Sequence, residues 1–461
     1  MFLRVNKKTD KKAEMELNNL TAISPVDGRY GKKTSDLAGY FSEYALMKYR
    51  LFVEIEYFIA LCGFLPQNKI SCGDVNADEL RVIWRDFSMD DAMKIKEYEK
   101  TTNHDIKALE YFLKEKFDRA GLGRLKELVH FGLTSQDINN TALPLSVRDA
   151  MSNIYTPMLY DIRENLASLA SEWKEIPMLA HTHGQPASPT RAGKEIEVFI
   201  ARLDEQVKYF AQIPFSAKFG GATGNMNAHY AAFPDKDWHA FADYFVNDIL
   251  GLKRSYPTTQ IDHYDNLAAL FDNIKRINVI LIDLCRDIWT YISMDYLRQK
   301  AKKGEVGSSA MPHKINPIDF ENAEGNLGIA NALLTFMSEK LPVSRLQRDL
   351  TDSTVTRNTG VAFAHTIIAF GSILKGLSKL VINEAKLRRD LEDNWLVVAE
   401  GIQTILRREG YEKPYEELLE LTRKEEKVTR EAIERFIDNL SVNPQVKEEL
   451  RSLTPFNYTG K

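Results

Sequence analysis

Fourteen residues, Gly304 to Pro317 (GEVGSSAMPHKINP), hold two glycines, two adjacent serines, a histidine, a lysine and two prolines. A phosphate-cradling loop needs the spacing GxxxxGK followed by Ser or Thr, behind a strand. A hydrolase nucleophile elbow needs GxSxG. Neither is present. Two readings stay open. One is a connection whose serine caps the next helix. The other is a functional loop whose glycines let backbone N–H groups approach an anion while Lys314 adds positive charge.

Four further stretches carry side chains of the same chemical reach. In HTHGQPASP, His181 to Pro189, a histidine suits proton transfer near neutral pH. The same residue also reads as a hydrogen-bonded turn histidine, and no acidic or cysteine ligand accompanies the pair to make a metal site. In HFGLTSQDINN, His130 to Asn140, Thr134, Ser135, Asn139 and Asn140 are uncharged polar groups. TSQD is also a helix N-terminus with Thr134 or Ser135 as cap, and such a terminus receives a carboxylate. SPVDGRY puts Arg29 and Tyr30 beside a turn, and SRLQRDLTDSTVTR mixes Arg345, Arg348 and Arg357 with Ser353 and Thr354. Arginines among small hydroxyls suit bidentate binding of phosphate or carboxylate; a solvated charged face is the other reading. TTNHDIKALEYFLKEK starts a helix near Asn103 and His104. Together the clusters suit a large anion with phosphate and carboxylate groups.

The elements that must position these residues are helical. Thr258 to Lys303 contains no Gly or Pro, and LAALFDNIKRINVILIDLCRDIWTYISMDYL is apolar on nearly every face. It predicts a helix of about 35 residues and about 50 Å, enclosed by other helices. KEIEVFIARLDEQVKYFAQI carries Ile196, Phe199, Ile200, Leu203, Val207 and Phe210 on one stripe. MLYDIRENLASLASEWKEI, GNLGIANALLTFMSEKL and SILKGLSKLVINEAKLRRDLEDNWLVVAEGIQTILRR continue the trend, with glycines as candidate bends. Hairpin-flanked strand alternation is nearly absent. The expected fold is all-α, built on a bundle of long helices. The expected parts are a flexible extension (1–14), an N-terminal helical domain (15–123), a central long-helix domain (124–377) and a C-terminal helical domain (378–461). Met15 as the natural start is the alternative to the extension.

Composition narrows the function classes. The 461 residues are 44% apolar and 27% charged, with 61 basic against 65 acidic side chains and a net charge of -4. That balance offers no general nucleic-acid footprint. Cys62, Cys72 and Cys285 form neither a disulfide framework nor a ligand spacing, which predicts reduced, buried thiols in a cytoplasmic protein. No uninterrupted apolar run reaches the roughly 18 residues of a membrane span, and the basic N-terminus lacks the apolar region of a secretory signal.

GSSAMPHKINP resembles the signature loop of the fumarase/aspartase superfamily, GSSxMPxKxN, and TSQDIN and THGQPA resemble its two other shared regions. The histidine of MPHK is what the adenylosuccinate lyase branch carries. SPVDGRYG, TTNHD, INPIDFENAEGNLG and LPVSRLQRDLTDSTVTRN are similar to the longer bacterial type of that branch, so the resemblance runs from about Met15 to the C-terminus. Gln136 departs from it, since relatives often carry Glu there.

The resemblance implies β-elimination of fumarate from adenylosuccinate to give AMP. It also implies the parallel cleavage of succinylaminoimidazole carboxamide ribotide (SAICAR) to AICAR, with no metal or organic cofactor. It implies a homotetramer whose active sites collect regions from three subunits. Ser308 would be the base, on a loop that closes over the substrate, and His183 the general acid. Thr134, Ser135, Lys314 and Asn316 would hold the succinyl carboxylates. Arg29, Tyr30, Ser353 and Arg357 match positions at the nucleotide phosphate. Asn103, His104, Asp105, Gln260, Ser309, Ile315, Asn322, Arg348, Thr354, Val355 and Thr356 match other ligand-contact positions. Another superfamily lyase or cycloisomerase, or a helical scaffold without catalysis, is the competing reading; intact Ser308 and His183 speak against the scaffold.

Overall fold

The structure, a computed structural model, describes residues 16–73, 75–300, 315–424 and 428–460. The N-terminal extension to residue 14 and residues 301–314, which include Ser308, Ser309 and Lys314, lie outside them. The architecture is all-α, and among the described residues only three two-stranded ribbons interrupt it. The main elements of the first half are α1 (Glu43–Phe64), α2 (Met89–Thr102), α3 (Asp105–Arg119), α4 (Ser135–Ala150), α5 (Thr156–Glu172), β1 (Pro177–Thr182), β2 (Gln185–Arg191) and α6 (Ala192–Phe210). Then follow β3 (Ser216–Lys218), β4 (Lys253–Ser255), α7 (Asp265–Ser293), β5 (Leu297–Gln299), α8 (Ile318–Lys340), α9 (Thr351–Thr356), α10 (Thr359–Leu377) and β6 (Leu380–Ile382). The chain divides into two compact units.

The first unit comprises Met1–Tyr155, Pro214–Ala269 and Ala332–Ile368. Its centre is α1, started by Ser42, whose Oγ accepts the Ala45 N–H at 3.1 Å. Leu51, Val53, Ile55, Tyr57, Phe58 and Leu61 are fully buried along it. They join Leu109, Phe112 and Phe117 of α3 and Ile138 and Leu145 of α4 in one core, with the Phe58 and Phe117 rings edge to face at 4.7 Å. Each such side chain contributes about 1.5–3 kcal/mol on burial. Arg50, Glu54 and Glu56 are buried in the same helix. Charges in that position need partners, and the partners lead to the site.

The second unit comprises Thr156–Ile213, Leu270–Asn331 and Ala369–Lys461. Ile196, Phe199 and Leu203 of α6 are buried as the stripe predicts. A Cβ on Gly193 would stand 2.3 Å from the Ala170 carbonyl, so only glycine lets α6 start this close to α5. Strands are few, as expected, but one hairpin was not foreseen. β1 and β2 form an antiparallel hairpin closed by His183 and Gly184, both at positive φ (54° and 74°). That is the backbone of a type I′ turn. Prolines at 177, 186 and 189 and an irregularity between Met178 and Ala180 hide the alternation in the sequence.

The longest helix, α7, has 29 residues and ends at Ser293, short of the apolar pattern. Asp295 takes φ +61°, and Leu297–Gln299 pairs antiparallel with Leu380–Ile382. The same pairing breaks the expected continuous helix after residue 377. Gly325 and Gly328 leave α8 unbroken. Val398, Ile402, Leu406, Ile433, Ile437 and Leu450 form a separate C-terminal core. One helical stretch, Thr351–Leu377, is long and apolar enough in composition to cross a membrane, but its most apolar window is 72% buried in the protein. The three cysteines are free and buried.

Candidate active site

The first unit holds a cavity of about 530 Å³. α1 contributes Glu43, Leu46 and Arg50, the turn between α2 and α3 contributes Asn103, His104 and Asp105, and α4 contributes Ser135, Asn139 and Asn140. Arg348, Ser353, Thr356 and Arg357 complete it.

Local chemistry explains each placement. Asn103 ends α2 in the left-handed conformation (φ 49°), and His104 starts α3, its Nδ1 accepting the Lys107 N–H at 3.2 Å. The chain therefore reverses at NHD and aims Asp105 at the cavity. Thr134 precedes α4, and its N–H donates to Asp137 Oδ2 at 2.8 Å. That leaves Ser135 in the first turn, where N–H groups and the helix dipole favour an anion.

A cationic wall faces this terminus. Arg50 is buried and donates from Nη2 to Asp105 at 2.7 Å and from Nε to Asn139 Oδ1 at 2.8 Å. Burial lowers its pKa, while the Asp105 charge opposes the shift. Burial pushes the Asp105 carboxyl up, yet Arg50 and the Ile106 N–H outweigh it and hold the group below its ordinary value. Arg357 bonds Glu43 at 3.0 Å and Asp105 at 3.4 Å. Arg348 donates to Gln260 Oε1 at 3.3 Å and Ser353 Oγ at 3.1 Å. Behind them Tyr264 accepts from Asn140 at 2.7 Å and donates to Asp352 at 3.2 Å.

Two histidines of this unit sit behind the wall. His130, at φ 59°, meets Glu54 Oε1 through Nδ1 at 2.6 Å. Burial lowers its pKa, but the Glu54 charge and hydrogen bond raise it above the ordinary value. Tyr57 donates its hydroxyl proton to the Phe131 carbonyl at 2.6 Å, so it accepts from His229 Nε2 at 3.0 Å. His229 is fully buried, its Nδ1 has no partner among the described residues, and burial lowers its pKa to about 4.

The structure thus brings Asn103, His104, Asp105, Ser135, Arg348, Ser353, Thr356 and Arg357 into one cavity, with Thr134 and Gln260 bonded at its edge. Arg29 and Tyr30 close the turn of residues 24–30, which borders a second recess of about 320 Å³ through Val26, Asp27 and Gly31 and reaches Arg357. Val355 turns into the core and Thr354 is exposed. His183, at the exposed hairpin tip, and Ile315, Asn316 and Asn322 belong to the other unit. There Asn322 accepts from Ser372 Oγ at 2.9 Å. Sequence reasoning missed Arg50, Glu43 and Asp352. For Glu43 and Arg50 the available signal was a run of charges inside the otherwise apolar EYALMKYRLFVEIEYFIALCGF. Among the described residues no group of three His, Cys, Asp or Glu side chains is placed for a metal.

Comparison with known proteins decides the family. Residues 28–330 match the family described as Lyase, and residues 344–459 match the one described as Adenylosuccinate lyase C-terminal. The Adenylosuccinate lyase of Dictyostelium discoideum is 58% identical over 456 residues, spanning 97% of this chain and 98% of that protein. The chain belongs to the adenylosuccinate lyase family. The member from Escherichia coli (strain K12) is 47% identical over 449 residues, at the same coverage. Among solved structures, a fumarate lyase from Mesorhizobium sp. BNC1 superposes with a TM-score of 0.74 at 17% identity, covering 92% of this chain and 95% of that one. A 3-carboxy-cis,cis-muconate lactonizing enzyme from Pseudomonas putida gives 0.71 at 19% identity, over 92% and 94%. These distant structures establish the shared fold of this adenylosuccinate lyase family member.

Proposed function

We propose that the chain is a carbon–nitrogen lyase that eliminates fumarate from adenylosuccinate to give AMP, and from SAICAR to give AICAR, in the cytoplasm. The observation that carries this reading is the cavity itself. Arg348, Arg357 and Ser353 face the same space as the N-terminus of α4. Such a space suits a ligand with a phosphate and a dicarboxylate.

In the proposed reaction the Ser308 alkoxide takes the proton from the succinyl carbon beside a carboxylate. The electron pair left behind forms the C=C bond of fumarate and expels the nitrogen, which His183 protonates as the C–N bond breaks. No water is consumed. Charge that builds on the carboxylate in the transition state is met by Thr134, Ser135, Lys314 and Asn316. Serine is too weak a base unperturbed, so loop closure that excludes water and supplies donors must produce the alkoxide. Acid assistance by His183 is worth about 10²–10⁴-fold. Arg29, Tyr30, Ser353 and Arg357 serve the nucleotide phosphate.

The working form we infer is a homotetramer with shared sites. In support, His183 is exposed at a hairpin tip, and Trp289, Ile329 and Phe336 leave apolar surface on the long helices. The test is an ultraviolet assay of purified protein with adenylosuccinate and with SAICAR. Release of AMP and AICAR with fumarate is expected; no cleavage of either overturns the reading.

A further inference from the structure

We propose that Asp137 and Lys218 are positioning residues, a buried brace that sets the carboxylate-binding end of the site and ties it to Arg348. This rests on the proposed function, in which Thr134 and Ser135 meet the dicarboxylate half of the substrate.

The brace begins at the helix terminus. Asp137 Oδ2 accepts the Thr134 N–H at 2.8 Å. Its Oδ1 accepts Lys218 Nζ at 2.7 Å and the Gly220 and Gly221 N–H groups at 2.8 and 3.1 Å. Four donors thus meet this carboxylate, three of them converging on Oδ1. Lys218 Nζ also donates to the Gly221 carbonyl at 2.6 Å, and both side chains are 0% exposed.

Capping alone does not need this. α2 starts with the same kind of box, the Ser88 and Asp91 side chains each accepting the other's N–H at 3.2 Å at an exposed position. Burying an ion pair carries a desolvation cost that apolar replacements avoid. What the buried pair adds at α4 is connection.

The segment 218–224 carries that connection onward. Gly224 sits at φ +84°, and a Cβ there would stand 2.0 Å from the Thr258 carbonyl, so the segment lies flush against residues 258–259. The Ala222 carbonyl accepts from Gln260 Nε2 at 3.0 Å, Gln260 Oε1 accepts from Arg348, and Arg348 donates to Ser353. A polar path thus runs from the Thr134 N–H to Ser353. Asp137→Asn breaks it at its first link: one face of the side chain becomes an NH₂ group. That group must oppose either the Thr134 N–H or the cluster of Lys218 and the glycine N–H groups.

The experiment uses the whole protein, with fumarate and AMP as product inhibitors of adenylosuccinate cleavage. Asp137→Asn and the charge-free pair Asp137→Asn/Lys218→Met are compared with wild type after circular dichroism confirms the fold. The expected result is a fumarate inhibition constant raised about tenfold or more, the loss of one charge-assisted hydrogen bond, with a smaller rise in the AMP constant passed on through Arg348 and Ser353. Both constants rising by the same factor, or neither moving in the folded double variant, overturns the brace. Wild type without cleavage instead overturns the proposed function. A measurement without any variant covers the case in which neither folds. On adding fumarate to wild type, amide exchange should slow at Gly220 and Gly221 as well as at Thr134. Protection at Thr134 without any at the glycines overturns the proposal.

Discussion

Arg50 on α1 and Asp105 at the start of α3 meet at 2.7 Å, with the arginine almost wholly withdrawn from water. The same carboxylate oxygen takes Arg357 at 3.4 Å. One acid therefore fixes two cations of the cavity wall, one buried and one exposed. The pair converts the stability of α1 into a fixed position for Arg357.

Asp105→Asn leaves Arg50 buried without its counter-charge. Breaking such a pair costs about 3–5 kcal/mol, which a urea titration reads as a lower midpoint at unchanged slope. Replacing both partners, as Arg50→Met with Asp105→Leu, should recover most of that loss while leaving turnover low. Recovered stability together with recovered turnover would remove Asp105 from the site.

Ser308→Ala and His183→Ala should each lose most turnover with the fold intact. Mixed after subunit exchange, the two inactive proteins should regain part of the activity, because a shared site can take its serine and its histidine from different chains. No recovery after proven exchange counts against shared sites.

His229 predicts an acid limit. Its folded pKa is lowered by burial to about 4 from 6.5. Between those values the unfolded chain binds the proton and the folded chain does not, so stability falls as pH drops through that window, by about 3 kcal/mol in all. His229→Gln should flatten the decline between pH 6.5 and 4 in thermal melts. An unchanged slope would mean that another group sets it.

His130 runs the other way. Its raised pKa, held up by Glu54, contributes stability that is full below about 6.5 and lost as pH rises through the folded value. Glu54→Gln should bring the imidazole titration, followed by NMR, to lower pH. The stability gap between the two proteins should narrow as pH rises. A titration that stays in place would show that burial and other charges govern His130.

Much of this was legible in the residue order. The 3.6-residue apolar period announced the long helices α6 and α7, because one face of α6 and most of α7 must leave water, whereas the 22-residue α1 was not announced. TSQD and NHD announced helix starts, because caps are local hydrogen bonds between residues three apart. The hairpin of His183 was not legible, since prolines and a bulge erase its alternation while the partner strand supplies the order. Nor was the end of α7, where an apolar pattern continues but pairing with Leu380–Ile382 draws the chain into a strand.

The sequence by itself determined the helical class, the family and the set of groups able to do the chemistry, because these depend on residue type and short spacing. Only the tertiary structure decided that Arg50, 55 positions before Asp105, belongs to the site, and that Lys218 pairs with Asp137. Such pairs form where long-range packing removes charges from water and brings partners distant in sequence within reach. That constraint leaves no local trace in the order of the residues.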